Sequence, residues 1–293
     1  AMINNRVSRI VFPFIVSIIL LWPTIVFGFT YTMLVFEGIT NPLEETICFF
    51  TGIDVLIPRY TFHLWFLYYL ALITFCSVII AFILAKTPKI SRYISKIFNW
   101  TIKQSLFRVL IFAGITSTCY YIMGTWSVIT STSFIPDLNM FIYYFSFYII
   151  GWVLYKSKHL LDSFMKYDYL SVFLAITFFS IYFFMNCSFS FLLHVVLKSI
   201  IVWLFVFGIT GLFVRYTSNY SPLMRYLSDA SYWVYLIHVS FMAIIPGFIS
   251  SWPIAATFKF LFVFVVASFL SFLSYHYFVR GTFIGKFLNG RKY

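Results

Sequence analysis

FHLWFLYYLALITFCSVIIAFILA, residues 62–85, is an apolar run of 24 residues with one histidine, His63, and no Asp, Glu, Lys or Arg. As a helix it would be about 36 Å long, enough to cross a hydrocarbon layer of about 30 Å. The rest of the chain has the same character. Hydrophobic residues make up 62% of the 293 residues and charged residues only 10%, with a mean hydropathy of +0.95. That composition excludes an ordinary soluble domain. The fold expected is an all-α, polytopic transmembrane helix bundle forming a single domain over 1–293.

About eight segments satisfy the length requirement, near 10–36, 62–85, 106–128, 140–155, 169–186, 191–214, 231–250 and 254–279. The fourth is short and would need help from its flanks. Charge then orients the bundle. The net charge is +12, and the basic residues are distributed one-sidedly over the segments between spans. Arg6 and Arg9, the run from Lys86 to Arg108, Lys156 to Lys166, Arg215 and Arg225, and Arg280 to Lys292 share one side. Only Arg59, Lys198 and Lys259 fall elsewhere, while Glu37, Glu44, Glu45, Asp54 and Asp137 lie opposite. Positive residues stay in the cytoplasm, which predicts an even number of spans with both ends inside. The basic loop needs no nucleic-acid partner to explain it.

Ionisable residues within spans are costly and mark pathways or sites. Here they are His63, His194, Lys198, His238, Lys259 and His276. His63 is expected at the extracytoplasmic end of its helix, on one face with Thr74 and Ser77. Together with Trp65, Tyr68 and Tyr69 it also fits an aromatic belt. In SYWVYLIHVSF, residues 231–241, the residues Ser231, Tyr235 and His238 continue to Met242 as one helical stripe. That reading sets His238 roughly 10 Å in from the inner end of its helix. His194 and Lys198 form an i, i+4 pair suited to a carboxylate or to snorkelling. Ala267, Ser268, Ser271 and Ser274 suggest a closely packed last helix.

No Walker loop, HExxH or GxSxG appears in the chain. Cys48, Cys76, Cys119 and Cys187 lack metal-ligand spacing. A bridge between Cys48 and Cys187, the two on the oxidising side, is not expected.

The runs RIVFP (Arg9 to Pro13), FHLWFLYYL (Phe62 to Leu70), FYIIGWVLY (Phe147 to Tyr155), DASYWVYLIHVSF (Asp229 to Phe241) and YHYFVRGTFIGKFLNGRK (Tyr275 to Lys292) occur in that order. Together they resemble membrane acyltransferase family three, most closely its glucan-biosynthesis, glucan succinyltransferase branch. The resemblance spans essentially the whole chain. It implies O-acylation: a succinyl or acetyl group passes from acyl-CoA, as donor substrate, to hydroxyls of a periplasmic or cell-surface glycan. No bound cofactor and no metal is implied, and the setting would be the bacterial inner membrane. His63 would orient the acceptor or serve as accessory base, and His238 is the second catalytic candidate. Trp65, Tyr68, Tyr235, His194 and Lys198 would contact substrate, with Arg6 and Arg9 on the anionic donor. Family members have about ten spans and an early histidine thought to be catalytic. This sequence resembles them from their third helix onward, which suggests N-terminal truncation. A transporter or flippase-like module, or an inactive fragment, are the alternatives.

Overall fold

The computed structural model describes residues 7–105, 107–185 and 189–289. A π-helical turn, Val7–Val11, leads into α1 (Phe12–Phe36), followed by α2 (Pro42–Phe49) and α3 (Trp65–Lys86). Next come α4 (Pro88–Lys103), α5 (Phe107–Met123), α6 (Leu138–Lys156) and α7 (Asp168–Met185). The chain ends with α8 (Phe191–Thr217), α9 (Pro222–Phe248), α10 (Ala256–Ser274) and α11 (Phe283–Asn289). No strand occurs among the described residues.

Seven helical segments among the described residues are long and apolar enough to cross a membrane. The remaining expected span is α5, an apolar helix of 17 residues. It stops at Met123 because Gly124 takes φ +64°, and the amides of Gly124 and Thr125 turn back to the carbonyls of Tyr121 and Tyr120. This is a glycine C-cap, and it closes the helix before residue 128. α6 is longer than expected, at 19 residues. The Asp137 carboxylate accepts the Met140 amide at 2.7 Å and starts the helix earlier. α9 begins at Pro222, nine residues before the expected start at 231. Proline suits a first helical turn, and Arg225 and Asp229 pair at i, i+4 within the extension.

The chain divides into two compact units. One comprises Ala1–Thr74, Thr132–Ile135 and Pro222–Tyr293; the other comprises Phe75–Ser131 and Pro136–Ser221. In the first unit α1 and α9 approach so closely that a Cβ on Gly28 would lie 2.9 Å from the Ala243 Cβ and 3.1 Å from the Ile244 nitrogen. Gly247 meets the Tyr31 ring and Thr32 in the same way, at 2.7 and 2.9 Å. The Thr32 hydroxyl donates to the Ala243 carbonyl at 2.6 Å, and the hydroxyls of Thr24 and Ser240 share a hydrogen bond of 2.9 Å. α10 closes on α9 as its small residues suggest: Ala267 and Ser271 are buried, and the Trp233 indole donates to Ser274 at 3.0 Å.

The second unit repeats the device at α7 and α8. Gly208 abuts Val172 and Ser171, and Gly211 abuts Asp168 and the Phe164 carbonyl. Arg215 and Asp168 form an ion pair of 2.7 Å at this contact. Trp203 stacks on Phe112 and Phe147, and its indole donates to Thr116 at 2.8 Å. Arg108 is buried beneath Phe164 and Phe207. Its guanidinium donates to the carbonyls of Ile102 and Ser163, so it joins the end of α4 to the 3-10 segment Lys158–Tyr167.

Gly28→Val would drive a branched side chain into the backbone of α9. It is expected to cost about 1–3 kcal/mol and to lower the thermal unfolding temperature of the detergent-solubilised protein. Gly151→Ala is the control, since nothing lies within 4 Å of its added carbon; it is expected to be neutral or slightly stabilising.

Candidate active site

The candidate site lies in the first unit, where the turn before α3 meets the middle of α9. The turn is held from both ends. The amide and hydroxyl of Thr61 both donate to the Thr132 carbonyl, at 2.7 and 2.8 Å. Phe62 then adopts φ +44°, a left-handed conformation that costs a bulky residue roughly 1–2 kcal/mol. Its ring packs on Trp22 at 5.0 Å, and the Trp22 indole is itself fixed to the Val55 carbonyl. The strain is sustained by these contacts. His63, the next residue, sits in the 3-10 turn Phe62–Leu64 rather than in α3 itself.

The turn brings His63 against Tyr235 and His238 of α9. The imidazole rings of His63 and His238 lie 5.4 Å apart and nearly perpendicular, at 81°. The Tyr235 ring is 5.6 Å from that of His63, and its hydroxyl donates to the His63 carbonyl at 2.7 Å. Phe66 closes one side of the group, 6.3 Å from Tyr235.

Backbone carbonyls decide which nitrogen of each ring carries the proton. A carbonyl only accepts, so the 3.0 Å contact from His63 Nε2 to the Leu236 carbonyl places hydrogen on Nε2. In the neutral ring Nδ1 then presents its lone pair; this atom is buried and has no hydrogen-bond partner among the described residues. His238 is the mirror case. Its Nδ1 lies 3.0 and 2.9 Å from the carbonyls of Val234 and Tyr235, so Nδ1 is the donor and Nε2 carries the lone pair. Two neighbouring imidazoles therefore offer basic nitrogens of opposite type. Such a pair can accept a proton from a hydroxyl and hold that hydroxyl in place.

With α9 beginning at Pro222, His238 lies about 24 Å from the start of the helix and roughly 15 Å from its other end. The expected 10 Å depth is thus corrected. His238 therefore lies past the middle of its helix, where its ring meets that of His63. Of the predicted stripe, Tyr235 and His238 turn into the site, whereas Ser231 is exposed and bonds to the Ser228 carbonyl of its own helix. Thr74 and Ser77 are buried, as a bundle-facing stripe requires.

The other expected site residues make contacts of their own. Trp65 contacts Phe66 and Tyr69. The Tyr68 hydroxyl donates to the Phe134 carbonyl at 2.7 Å and so secures a loop. Arg9 is exposed, and its carbonyl accepts from Tyr232 at 2.9 Å. Arg6 and Cys187 lie outside the described residues. His194 and Lys198 belong to the second unit and form a cluster of their own there. The Lys198 ammonium lies 4.3 Å from the Trp126 ring centre, Trp126 stacks on His194 at 5.1 Å, and His194 Nδ1 meets the Tyr182 hydroxyl at 3.1 Å.

Sequence reading missed Phe62, whose torsion has no signature in residue type. It also missed the carbonyls of Leu236 and Val234, which act through their backbone. Apolar cavities flank α9. One, of about 510 Å³, includes Thr24, Phe50 and Ser240 in its wall; another, of about 370 Å³, includes Leu20, Leu236 and Phe287.

No curated protein and no solved structure matches the chain at a significant level. A family model described as an acyltransferase domain, that of acyltransferase family 3, matches residues 1–276. The match takes in both histidines, both prolonged helices and nearly every span, and on it the chain belongs to acyltransferase family 3.

Proposed function

We propose that this membrane acyltransferase moves an acyl group, succinyl or acetyl, from acyl-CoA to a hydroxyl of an extracytoplasmic glycan, with His63 as the base. The observation that carries the reading is the buried, unpartnered Nδ1 of His63 beside a second imidazole. An alcohol is a weak nucleophile at neutral pH, so its proton must leave as its oxygen attacks. In this reading the acceptor hydroxyl gives its proton to His63 Nδ1 while its oxygen bonds to the thioester carbonyl carbon. The tetrahedral intermediate then expels the coenzyme A thiolate. His63 returns the proton to that sulfur, leaving an ester and free coenzyme A. His238 Nε2 accepts a hydrogen bond from a second polar group of the acceptor and fixes its orientation. Tyr235 is a positioning residue, since its hydroxyl is committed to the His63 carbonyl.

The remaining assignments follow from chemistry and charge. The Lys198 ammonium, cupped by aromatic rings, suits a carboxylate of the substrate. Trp65 offers its ring for stacking on a sugar, and Arg6 and Arg9 carry charge complementary to the anionic donor. The location that fits is the bacterial inner membrane, with the basic segments and both ends of this chain in the cytoplasm.

The test is the mass of surface and periplasmic glycans from a host lacking its own acyltransferase, with membrane insertion of the expressed chain verified. An acyl increment is expected and names the group transferred. His63→Ala is expected to reduce transfer by about 10²–10⁴-fold, and full transfer by this variant would sink the assignment of the base. Tyr235→Phe, which loses one hydrogen bond to the turn, is expected to slow turnover by about fivefold with insertion unchanged. Movement of substrate across sealed vesicles without ester formation would instead identify a transporter.

A further inference from the structure

The second unit carries a feature that acyl transfer does not use. α3 and α6 end at Lys86 and Lys156, and α4 starts two residues after α3 with Pro88. From residue 86 to residue 108 the chain has six basic side chains and no acid. On α4 these charges are sorted. Lys89, Arg92, Lys96 and Lys103 fall within an arc of about 60°, and all are exposed. The adjoining arc holds Ile90, Tyr93, Ile97 and Trp100, apolar and also exposed, at 53%, 65%, 48% and 58%. The third arc holds Phe98 and Ile102, buried in the core of the unit. A helix with a basic strip beside an uncovered apolar strip lies in the plane of a bilayer interface.

Where α4 meets α3 and α6 there is a cavity of about 170 Å³. Ile80 and Leu84 of α3 and Val153 of α6 supply an apolar wall; Ser91 and Ser95 of α4 and Lys156 of α6 supply the polar groups. The serines are one helical turn apart on the same face. Trp152 also lines the cavity, with the Lys156 ammonium 5.0 Å from its ring centre. A lining of two serines and a lysine together with apolar side chains matches a phosphate ester with a hydrocarbon tail. A tryptophan at the boundary is the usual marker of headgroup depth. Small-molecule sites occupy about 300–1,000 Å³, so this cavity takes a headgroup and the start of one chain rather than a whole nucleotide.

We infer that the cavity among α3, α4 and α6 is a binding site for an anionic phospholipid, whose phosphate is held by Ser91, Ser95 and Lys156 while a fatty chain lies along Ile80, Leu84 and Val153. The basic strip of α4 selects the anionic class by adding attraction at the membrane surface. This site stands independently of the acyl-transfer reading.

The test titrates the full chain, in mild detergent, with phosphatidylglycerol and separately with phosphatidylcholine, and counts bound lipid by native mass spectrometry. Phosphatidylglycerol is expected to bind more tightly. Lys156→Gln combined with Ser91→Ala and Ser95→Ala is expected to weaken it about tenfold, the scale of losing charge-assisted hydrogen bonds. Lys156→Arg is expected to retain binding within about twofold, and so is Lys103→Gln, which removes a charge from α4 outside the cavity. Single Lys156→Gln stands in should the triple variant fail to insert. Equal affinity for the two lipids would overturn the proposal. So would equal losses in the Lys156 and Lys103 variants, which indicate surface charge alone, and so would displacement of phosphatidylglycerol by coenzyme A, which indicates a nucleotide phosphate site.

Discussion

The close crossing of α1 and α9 is the contact on which the candidate site depends. Lipid removes the ordinary hydrophobic drive between helices, because a leucine gains nothing by leaving hydrocarbon for protein. Attraction must come from dispersion at short range and from hydrogen bonds. Gly28 and Gly247 permit that range by leaving no side chain in the way. Thr32 to Ala243 and Thr24 to Ser240 then add polar bonds across the gap, where an unpaired hydroxyl would be costly. The crossing sets the position of α9 against the turn that begins α3.

That turn is built to resist relaxation. Thr61 is tied by two bonds to one carbonyl, and Trp22 and Tyr235 brace the next two residues, Phe62 and His63. Phe62 can therefore remain in a backbone region that a phenylalanine would otherwise leave. Strain beside a candidate base is a means of preorganisation: the contacts of the turn fix the imidazole of His63 in one orientation. The two histidines then differ by tautomer, since each meets carbonyls through a different nitrogen.

The second unit uses the same packing but sets charge differently. Its ion pair at Asp168 and its buried Arg108 tie helix ends together. Lys198 is surrounded by aromatic rings, and the α4 lysines by apolar neighbours on an open surface. Burial and pairing make a cation structural, whereas exposure beside apolar surface leaves it to meet lipid or substrate.

Composition and hydropathy were sufficient for the class, the bundle and most of the spans, because each crossing must satisfy its own backbone and reach across a fixed thickness. They also marked His63 and His238 as out of place in lipid, with Tyr235 on the helical stripe of His238. Helix ends were less legible. The stop at Gly124 and the cap at Asp137 rest on single residues, and the early start of α9 rests on a polar stretch that reads as a loop. The meeting of His63 with His238 was beyond the sequence, because some 170 residues separate them and only the α1–α9 crossing brings them together. The free nitrogen of each ring was likewise decided by tertiary structure: carbonyls choose the tautomer, and a carbonyl belongs to every residue alike.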